Sequence, residues 1–346
     1  MPRALPIANP PNPWASTEVD WLGEPPDARL HVFEERAKSI LSENDSPDVG
    51  MKWSVNPYRG CFHACAYCYA RPSHQYLGFG AGTDFDRNLV VKVNAPELLR
   101  EAMMKKGWRG ESITFSGNTD CYQPLEAAYR ITRRCLEVCL ELRNPAHVIT
   151  KGALVRRDVD LLVALTKEAR VGVTMSIPFA DDAMGRAIEP YASACSARFE
   201  TMRILSEAGI PTSLNIAPVI PGLNDADVPE LLERAKVAGA RSAAVLPVRL
   251  AAEVLPVFME RLAAAFPTRV SKVTHGIQQI RGGKLNASGF GARMTGIGPR
   301  WDAIHSLFVA HCRRLGLRSW EADEGVGEVA EEPSTFRRPQ AQQELF

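Results

Sequence analysis

Short apolar runs alternate with helically spaced apolar positions along most of the chain, beginning near Trp53. A short continuous apolar run is typical of a strand buried on both faces, whereas apolar residues three or four positions apart indicate a helix. The sequence therefore predicts strands at residues 53–55, 112–115, 147–150, 171–177, 212–219 and 243–248. The intervening helices carry capping residues, which are Asn94 with Pro96, Asp158, Ser196 and Asp225 at their starts and Gly209 and Gly239 at their ends.

These strand and helix repeats predict a parallel sheet with right-handed crossovers, and such a sheet usually curls into a barrel. A closed barrel of this kind has eight repeats, and the sequence shows six. We therefore expect an α/β fold with an open, partial (βα)6 TIM-like barrel that admits a bulky substrate. A doubly wound sheet is the competing fold, but the pattern GxGxxG of dinucleotide-binding sheets is missing after the first strand.

Four regions follow from this pattern. Residues 1–51 are rich in proline and acidic residues and form an N-terminal extension with one helical patch near residues 32–40. Residues 52–290 form the barrel, and residues 291–318 form a C-terminal extension whose helix is expected at residues 300–315. Residues 319–346 are acidic, then polar, and are expected to be a disordered tail.

The composition and the lack of long apolar segments lead to an expectation about the cellular compartment. The chain has 346 residues, a hydrophobic fraction of 45% and a net charge of +1, so bulk charge indicates no particular partner. Because no stretch reaches the roughly 18 apolar residues of a membrane span or forms a signal peptide, we expect a cytoplasmic monomer with no membrane contact. In a reducing compartment, eight cysteines indicate metal binding or redox chemistry more than a disulfide framework.

Three cysteines cluster in the stretch GCFHACAYCY: Cys61, Cys65 and Cys68. They follow the first predicted strand, at the mouth of the barrel, where such folds keep their chemistry. Three thiolates on a [4Fe–4S] cluster would leave one iron free for substrate or cofactor. Alternatively, His63 or His74 could complete a Cys3His zinc site, or the cysteines could be buried structural thiols.

The surrounding string NPYRGCFHACAYCYARPSH resembles the radical S-adenosylmethionine (SAM) superfamily, in the branch related to spore photoproduct lyase. The superfamily motif is CxxxCxΦC, and Tyr67 is its aromatic residue here. The resemblance spans about residues 52–290. It implies a [4Fe–4S] cluster whose free iron chelates SAM, reductive cleavage of SAM to a 5′-deoxyadenosyl radical, and an electron donor such as flavodoxin or ferredoxin.

The resemblance also implies SAM contacts at the ends of later strands. In SGNTDCYQP, Ser116 and Gly117 fit a small-residue motif beside the methionine amino group, and Asp120 could accept a hydrogen bond from it. The alternative is a strand-to-helix turn in which Asp120 is only a cap. Further candidates for the cofactor, each of which could instead be a simple loop anchor, are Lys151 for the SAM carboxylate and Ser176, Asn215 and Ala217 for ribose and adenine.

Cys121 is the candidate hydrogen-atom donor. In spore photoproduct lyase, a cysteine just upstream of the corresponding Ser-Asp pair performs this role, but Gly117 occupies about that place here. We expect Cys121 to take over as the donor, with Tyr69 as a relay. The alternative is a packing thiol, as we expect for Cys135 and Cys139, which lie among leucines on one helical face.

Residues 269–300 contain no acidic residue and could form a phosphate-binding rim. Its basic residues recur among glycines, with Phe290 available to stack on a base: Arg269, Lys272, Arg281, Lys284, Arg293 and Arg300. The alternative is a solvated flexible loop.

The last five residues, Gln342 to Phe346, resemble the QxxLF peptides that bind bacterial sliding clamps. A short peptide with two apolar anchors suits a preformed groove. The alternatives are a chance match and docking onto the enzyme's own surface.

Three functions remain open from the sequence. The first is a lyase or repair enzyme acting on DNA or another nucleic acid. The second is a radical modifier of a protein or small metabolite. The third is a non-catalytic iron–sulfur or zinc-binding protein.

Overall fold

The computed structural model describes residues 29–287, 289–319 and 334–338. The strands are β1 (His31–Glu35), β2 (Leu41–Glu43), β3 (Trp53–Val55), β4 (Tyr58–Arg59), β5 (Asn88–Lys92), β6 (Ile113–Phe115), β7 (Ala146–Thr150), β8 (Val171–Ser176), β9 (Thr212–Val219), β10 (Ser242–Pro247) and β11 (Arg318–Ser319). The α-helices are α1 (Thr83–Arg87), α2 (Ala95–Met104), α3 (Glu126–Tyr129), α4 (Ile131–Glu141), α5 (Val159–Glu168), α6 (Asp182–Ile188), α7 (Cys195–Glu207), α8 (Val228–Val237), α9 (Val254–Ala265), α10 (Val270–Ile280) and α11 (Gly298–Leu315). Short 3-10 helices lie at Arg71–Leu77, Ala153–Asp158, Asp225–Asp227 and Pro267–Arg269.

The main sheet confirms the partial barrel. Its order is β11-β10-β9-β8-β7-β6-β3-β2, and the six predicted strands are parallel neighbours in chain order. Each begins and ends within two residues of its predicted bounds. Within the described residues, the edge strands β2 and β11 do not pair with each other, so the sheet stays open. We call the carboxyl ends of the parallel strands the mouth and their amino ends the floor.

A second, three-stranded sheet has the order β1-β5-β4 and was not predicted. Its strand β1 corrects the predicted helical patch at residues 32–40. The apolar spacing of Val32, Phe33 and Ile40 suits a helix, but β1 pairs in parallel with β5 from His31 opposite Asn88 onward. Pairing with a largely buried strand supplies the backbone hydrogen bonds that a helix would otherwise make.

Most predicted caps lie where the helices begin or end. Gly209 and Gly239 have φ of +85° and +87° and end α7 and α8 in the left-handed conformation that glycine favours. Asn94 and Asp158 precede α2 and α5. The prediction is two residues late at Ser196, because α7 begins at Cys195 and the capping position is Ala194. Asp225 begins a 3-10 turn and not α8 itself.

Parts of both terminal regions pair with the two sheets or contact the barrel. In the N-terminal extension, β1 joins the small sheet and β2 pairs with β3 in the main sheet. After α11, β11 adds a parallel edge strand to β10. Residues 334–338, which we call the floor segment, also contact the barrel. There the Thr335 hydroxyl donates to the Arg143 carbonyl at 2.7 Å, and Phe336 packs against the core. These five residues differ from the expectation that everything after residue 319 lacks fixed structure.

None of the helices in the described part of the chain is both long enough and apolar enough to cross a membrane.

Candidate functional site

The cysteine loop lies at the mouth, after β3 and β4. Cys61 and Cys65 are buried and Cys68 is partly buried. The Cys61 amide donates to the Phe85 carbonyl at 3.0 Å, and the Cys68 amide donates to the Cys65 carbonyl at 3.2 Å. Gly60 begins the loop with φ of +71°, and a Cβ there would lie 2.8 Å from Leu89 Cδ2. Only glycine suits this entry to the loop.

His63 and His74, the two candidate zinc ligands, have other neighbours than the cysteines. In the part of the chain that the structure describes, no three His, Cys, Asp or Glu side chains converge as the ligands of one ion would. His63 lies instead against Asp120, with 3.4 Å between Nδ1 and Oδ2, and the His74 ring stacks on Phe79 at 5.1 Å. A four-iron cluster has a different requirement, because its thiolates surround one cluster and each binds a different iron.

Arg71 holds the cysteine loop from behind, and the sequence analysis missed it. It is fully buried, and its guanidinium donates to the Cys65 carbonyl at 3.0 and 3.1 Å and to the Ala81 and Gly82 carbonyls at 2.9 Å. Its charge is matched by Asp86 at 3.0 Å. Burial raises the pKa of Asp86 to about 6, although Arg71 acts to lower it. The loop is therefore fixed by charge-assisted hydrogen bonds.

The motif tyrosine, Tyr67, belongs to a buried network that the sequence also did not reveal. Its hydroxyl donates to Glu189, which also accepts from Arg198 Nη2 at 2.5 Å. Arg198 Nη1 then donates to the Ser176 carbonyl at the end of β8, at 2.9 Å. Since Tyr67, Glu189 and Arg198 are all buried, this chain of bonds fixes the motif aromatic relative to the strand ends.

Lys151 lies beside the same network. Its Nζ is 5.8 Å from the centre of the Tyr67 ring. Burial acts to lower the pKa of Lys151, but the nearby Cys65 and Glu189 raise it above its ordinary value. The ammonium is therefore a charged group beside the cysteine loop, which suits the predicted contact with a carboxylate.

The turn after β6 uses Asp120 as a brace between loops. Asp120 Oδ1 accepts from Thr150 Oγ1 at 2.6 Å and from the Tyr122 amide at 2.8 Å, and Oδ2 accepts from the Lys151 amide at 2.7 Å. Burial acts to raise the pKa of Asp120, yet His63 and these hydrogen bonds hold it well below its usual range. These contacts match the alternative in which Asp120 organises the turn.

Ser116 and Gly117 shape the backbone of that turn. Ser116 has φ of +82°, and its hydroxyl accepts from the Cys121 amide at 2.8 Å. A Cβ on Gly117 would lie 2.8 Å from Ser54 Oγ. Only a residue without a side chain can approach Ser54 so closely, as the small-residue motif requires.

Ser176 and Asn215 are direct neighbours across β8 and β9. Asn215 and Ala217 alternate with Leu214 and Ile216, which are fully buried in the core, so they lie on the opposite, inner face of the sheet. Among the described residues, Asn215 Oδ1 is buried without a hydrogen-bond partner. A buried acceptor left open is costly, so this atom is suited to a ligand donor such as a ribose hydroxyl or an adenine amine.

The two candidate hydrogen donors have opposite surroundings. Cys121 is fully buried in the core, and burial raises the pKa of its thiol well above the usual range. Tyr69 is 49% exposed, its hydroxyl donates to the Gly117 carbonyl at 2.8 Å, and the Arg249 guanidinium lies 4.8 Å from its ring centre. Tyr69 is thus at the mouth and Cys121 is beneath it. Their catalytic roles stay predictions.

Three of the six basic residues of the predicted rim have partners within the protein, and one of these three, Arg281, is buried. Arg281 is buried and donates to the Val248, Ala292 and Thr295 carbonyls. Arg293 pairs with Asp48 at 2.6 Å, and Arg300 pairs with Asp225 at 2.7 Å. The sequence shows how many basic residues the segment has, but not which of them already have partners within the protein.

Other parts of that segment remain accessible. Arg269, Lys272 and Lys284 are exposed, and Phe290 is 66% exposed with the Arg293 guanidinium 4.7 Å from its ring centre. The clamp-like peptide, residues 342–346, lies outside the described residues.

The class of protein follows from a family comparison. A model of the radical SAM superfamily matches residues 55–235, which is more than half of the chain. The chain therefore belongs to the radical SAM superfamily, and its cofactors are those of the superfamily, a [4Fe–4S] cluster and SAM.

Three proteins of similar sequence can be compared with this chain. An uncharacterised protein of Mycobacterium tuberculosis is 35% identical over 238 residues, which cover 68% of this chain and 70% of that one. An uncharacterised protein of Methanocaldococcus jannaschii is 29% identical over 201 residues, covering 58% and 72%. A protein of Pseudomonas phage M6, named radical SAM Nα-GlyT isomerase, is 28% identical over 267 residues, covering 76% of this chain and 52% of its own length.

Solved structures of spore photoproduct lyase share the fold. Its complex with a dinucleoside spore photoproduct has a TM-score of 0.60 at 15% identity and covers 83% of this chain and 81% of that one. A double mutant with bound AdoMet and dinucleoside spore photoproduct has a TM-score of 0.62 at 15% identity, with 87% of each chain covered. At this identity the likeness shows the fold alone.

Proposed function

We propose that this protein is a cytoplasmic radical SAM enzyme that acts on DNA as a lyase or repair enzyme. The observation that carries the proposal is the fold shared with spore photoproduct lyase, whose structure holds a dinucleoside lesion, over more than four-fifths of both chains. The phage relative named as an isomerase supports rearrangement, in place of bond cleavage, as a second candidate reaction. The fold alone does not fix the substrate, so the experiment below has to identify it.

The residues at the mouth suit the cofactors of the superfamily. Cys61, Cys65 and Cys68 would each bind one iron, Lys151 would contact the SAM carboxylate, and Asn215 would use its open acceptor. Further contacts are assigned to Ser116 and Gly117 at the methionine amino group, and to Ser176 and Ala217 beside the nucleoside. When bound, the cluster and SAM supply a 5′-deoxyadenosyl radical that abstracts a hydrogen atom from the substrate.

The chain's own residues hold the site in one geometry. Arg71 fixes the cysteine loop, and the network of Tyr67, Glu189 and Arg198 joins that loop to β8. Catalytic groups must be positioned to within fractions of an ångström, which such fully bonded networks can provide. For return of a hydrogen atom to the substrate, the half-exposed Tyr69 is better placed than the buried Cys121.

Transfer of deuterium identifies the substrate. The enzyme would be reconstituted anaerobically and supplied with SAM, a reductant such as reduced flavodoxin or ferredoxin, and oligonucleotides deuterated in candidate lesions. We expect formation of 5′-deoxyadenosine that depends on DNA and carries deuterium from it. If 5′-deoxyadenosine forms at the same rate without DNA and never acquires its deuterium, the alternative of a protein or small-metabolite substrate replaces this proposal.

We also propose that residues 342–346 bind a sliding clamp and so raise the local concentration of the enzyme on DNA. The support is the QxxLF pattern of Gln342, Leu345 and Phe346. A peptide of residues 335–346 should bind purified clamp with an affinity of roughly micromolar order, as small interfaces do. The same peptide with Leu345→Ala and Phe346→Ala is the control. If both peptides bind equally, or if neither binds, the sliding clamp is excluded as a partner of these residues.

A further inference from the structure

Arg249 is placed rigidly at the mouth, two residues after β10 ends. The preceding residue, Val248, is fixed by its amide, which donates to the Val219 carbonyl at 2.9 Å, and by its carbonyl, which accepts from Arg281 at 2.8 Å. The Arg249 guanidinium lies 4.8 Å from the centre of the Tyr69 ring. Because Tyr69 directly follows Cys68, this cation lies at the opening above the cysteine loop.

Among the described residues, Arg249 lacks the carboxylate partner that Arg71 and Arg293 possess. Across residues 29–287, 289–319 and 334–338, its side chain forms no ion pair, and its hydrogen bond is to Met294 Sδ at 3.2 Å. A thioether is a weak acceptor. By contrast, Arg71 pairs with Asp86 and Arg293 with Asp48. The guanidinium of Arg249 therefore has strong donors that the protein itself does not use.

A buried cation, Arg281, lies near the partly buried Arg249. Arg281 donates only to backbone carbonyls, and its Nε has no hydrogen-bond partner in the described structure. Burial and the charge of Arg249 together lower the pKa of Arg281 to about 10. In the described part of the chain neither cation has a carboxylate within ion-pair distance, and the nearby Asp48 is already paired with Arg293, so a bound anion would relieve the repulsion between the two cations.

We propose that Arg249, seated on the Tyr69 ring, binds a backbone phosphate of single-stranded DNA beside the nucleotide that enters the mouth. This inference rests on the proposed function and names the contact that positions its substrate. Guanidinium donors match phosphate oxygens in pairs, and an aromatic ring beneath the guanidinium holds its plane in place. The exposed ring of Tyr69 provides a face on which an unpaired base can stack.

The carboxylate of SAM offers the same oxyanion chemistry to an arginine, so the experiment has two arms. The first arm measures binding of a fluorescein-labelled single-stranded 12-mer by anisotropy, at several salt concentrations, to the reconstituted enzyme. The second arm measures binding of SAM to the same preparation by equilibrium dialysis. The variants are Arg249→Gln, Arg249→Lys and the control Arg241→Gln, which changes an exposed arginine at the floor. Iron content and circular dichroism establish that each variant is folded.

For Arg249→Gln we expect DNA affinity to fall about tenfold, the typical worth of a hydrogen bond to a charged group. The slope of log K against log salt should shrink by about one phosphate contact. Arg249→Lys should keep the salt slope but recover only part of the affinity, because an ammonium is a point charge. Arg241→Gln should match the wild type in both arms.

Two results would overturn the inference while leaving the proposed function intact. In the first, Arg249→Gln binds DNA with the affinity and salt slope of the wild type. In the second, the variant loses SAM binding and keeps DNA binding, which would assign Arg249 to the SAM carboxylate. Failure of the proposed function looks different, because then the wild-type enzyme itself shows no saturable DNA binding, and this contact is refuted with it.

Discussion

The mouth of this barrel is held by buried arginines, whereas the floor is held by apolar packing, a neutral hydrogen bond and an exposed arginine, Arg338. At the mouth, buried Arg71, Arg198 and Arg281 donate to the carbonyls of the loops they support. At the floor, Phe336 of the floor segment packs on the core, beside a neutral hydrogen bond from Trp108 Nε1 to Asn144 Oδ1 at 2.9 Å. Directional bonds to charged groups define one geometry, whereas apolar packing tolerates replacement. Substitutions at the mouth should therefore affect function and substitutions at the floor mainly stability.

The largest effect is expected at the cysteine loop. Cys65→Ala removes one of three iron ligands, so iron content, visible cluster absorbance and 5′-deoxyadenosine formation should all be lost after anaerobic reconstitution. Cys135→Ala is the matched control, because Cys135 is equally buried but lies in α4. The control should keep its iron. A Cys65→Ala protein that retains the cluster would remove the assignment of these ligands.

Glu189→Gln should be the next most damaging change. It leaves Arg198 buried without a matching charge, which typically costs about 3 kcal/mol of the free energy of unfolding. Denaturant unfolding measures the loss, and adding Arg198→Met should recover part of it. Glu207→Gln, which breaks an exposed pair with Arg203, should have no measurable effect. Equal losses in the two single variants would show that the mouth network contributes nothing special.

Phe336→Ala tests the floor. The side chain is partly buried, so its removal should lower the free energy of unfolding by about 2 kcal/mol, less than for a fully buried phenylalanine. Iron content and SAM cleavage should not change, because the floor segment lies at the opposite end from the cysteines. Phe290→Ala, at an exposed ring, should leave stability as it is. A loss of iron in Phe336→Ala would contradict the separation of the two ends.

The smallest effect on stability is expected for Tyr69→Phe. Water can replace the bond from the hydroxyl to the Gly117 carbonyl at this half-exposed position, so the loss should be less than about 1 kcal/mol. If Tyr69 returns a hydrogen atom to the substrate, product yield should still fall while 5′-deoxyadenosine continues to form. Cys121→Ala is the comparison, and a selective loss of product there instead would assign that step to the buried thiol.

The barrel could be predicted because its strands are local signals. Residues 171–177 carry an apolar residue at every second position, and residues 212–219 show the same alternation around Leu214 and Ile216, a strand pattern that can be recognised without knowing any partner. The small sheet could not be predicted in this way. Its strand β1 exists because β5 lies beside it, and no pattern within residues 31–35 records a partner more than fifty positions away.

In the site, too, local motifs could be predicted from the sequence and long-range contacts could not. The cysteine spacing is a local motif, so it was visible directly. Glu189 lies 122 positions from Tyr67, and the donors and acceptors that join them carry no periodicity. The sequence analysis placed Arg281 in an accessible rim because it lies among glycines in a basic segment. The backbone carbonyls that Arg281 bonds are known only from the structure. Long-range polar contacts are what the sequence alone leaves open.

The floor segment also limits how far from the floor a partner of residues 342–346 can lie. Arg338 donates to the Lys105 carbonyl at 2.7 Å and to the Trp108 carbonyl at 3.0 Å. Gln342 follows Arg338 by four residues, and a chain of that length spans at most about 14 Å. A partner that binds residues 342–346 would thus contact the enzyme on the floor side of the barrel, opposite the mouth. The mouth, which carries the cysteines, would stay accessible to a substrate while that partner is bound.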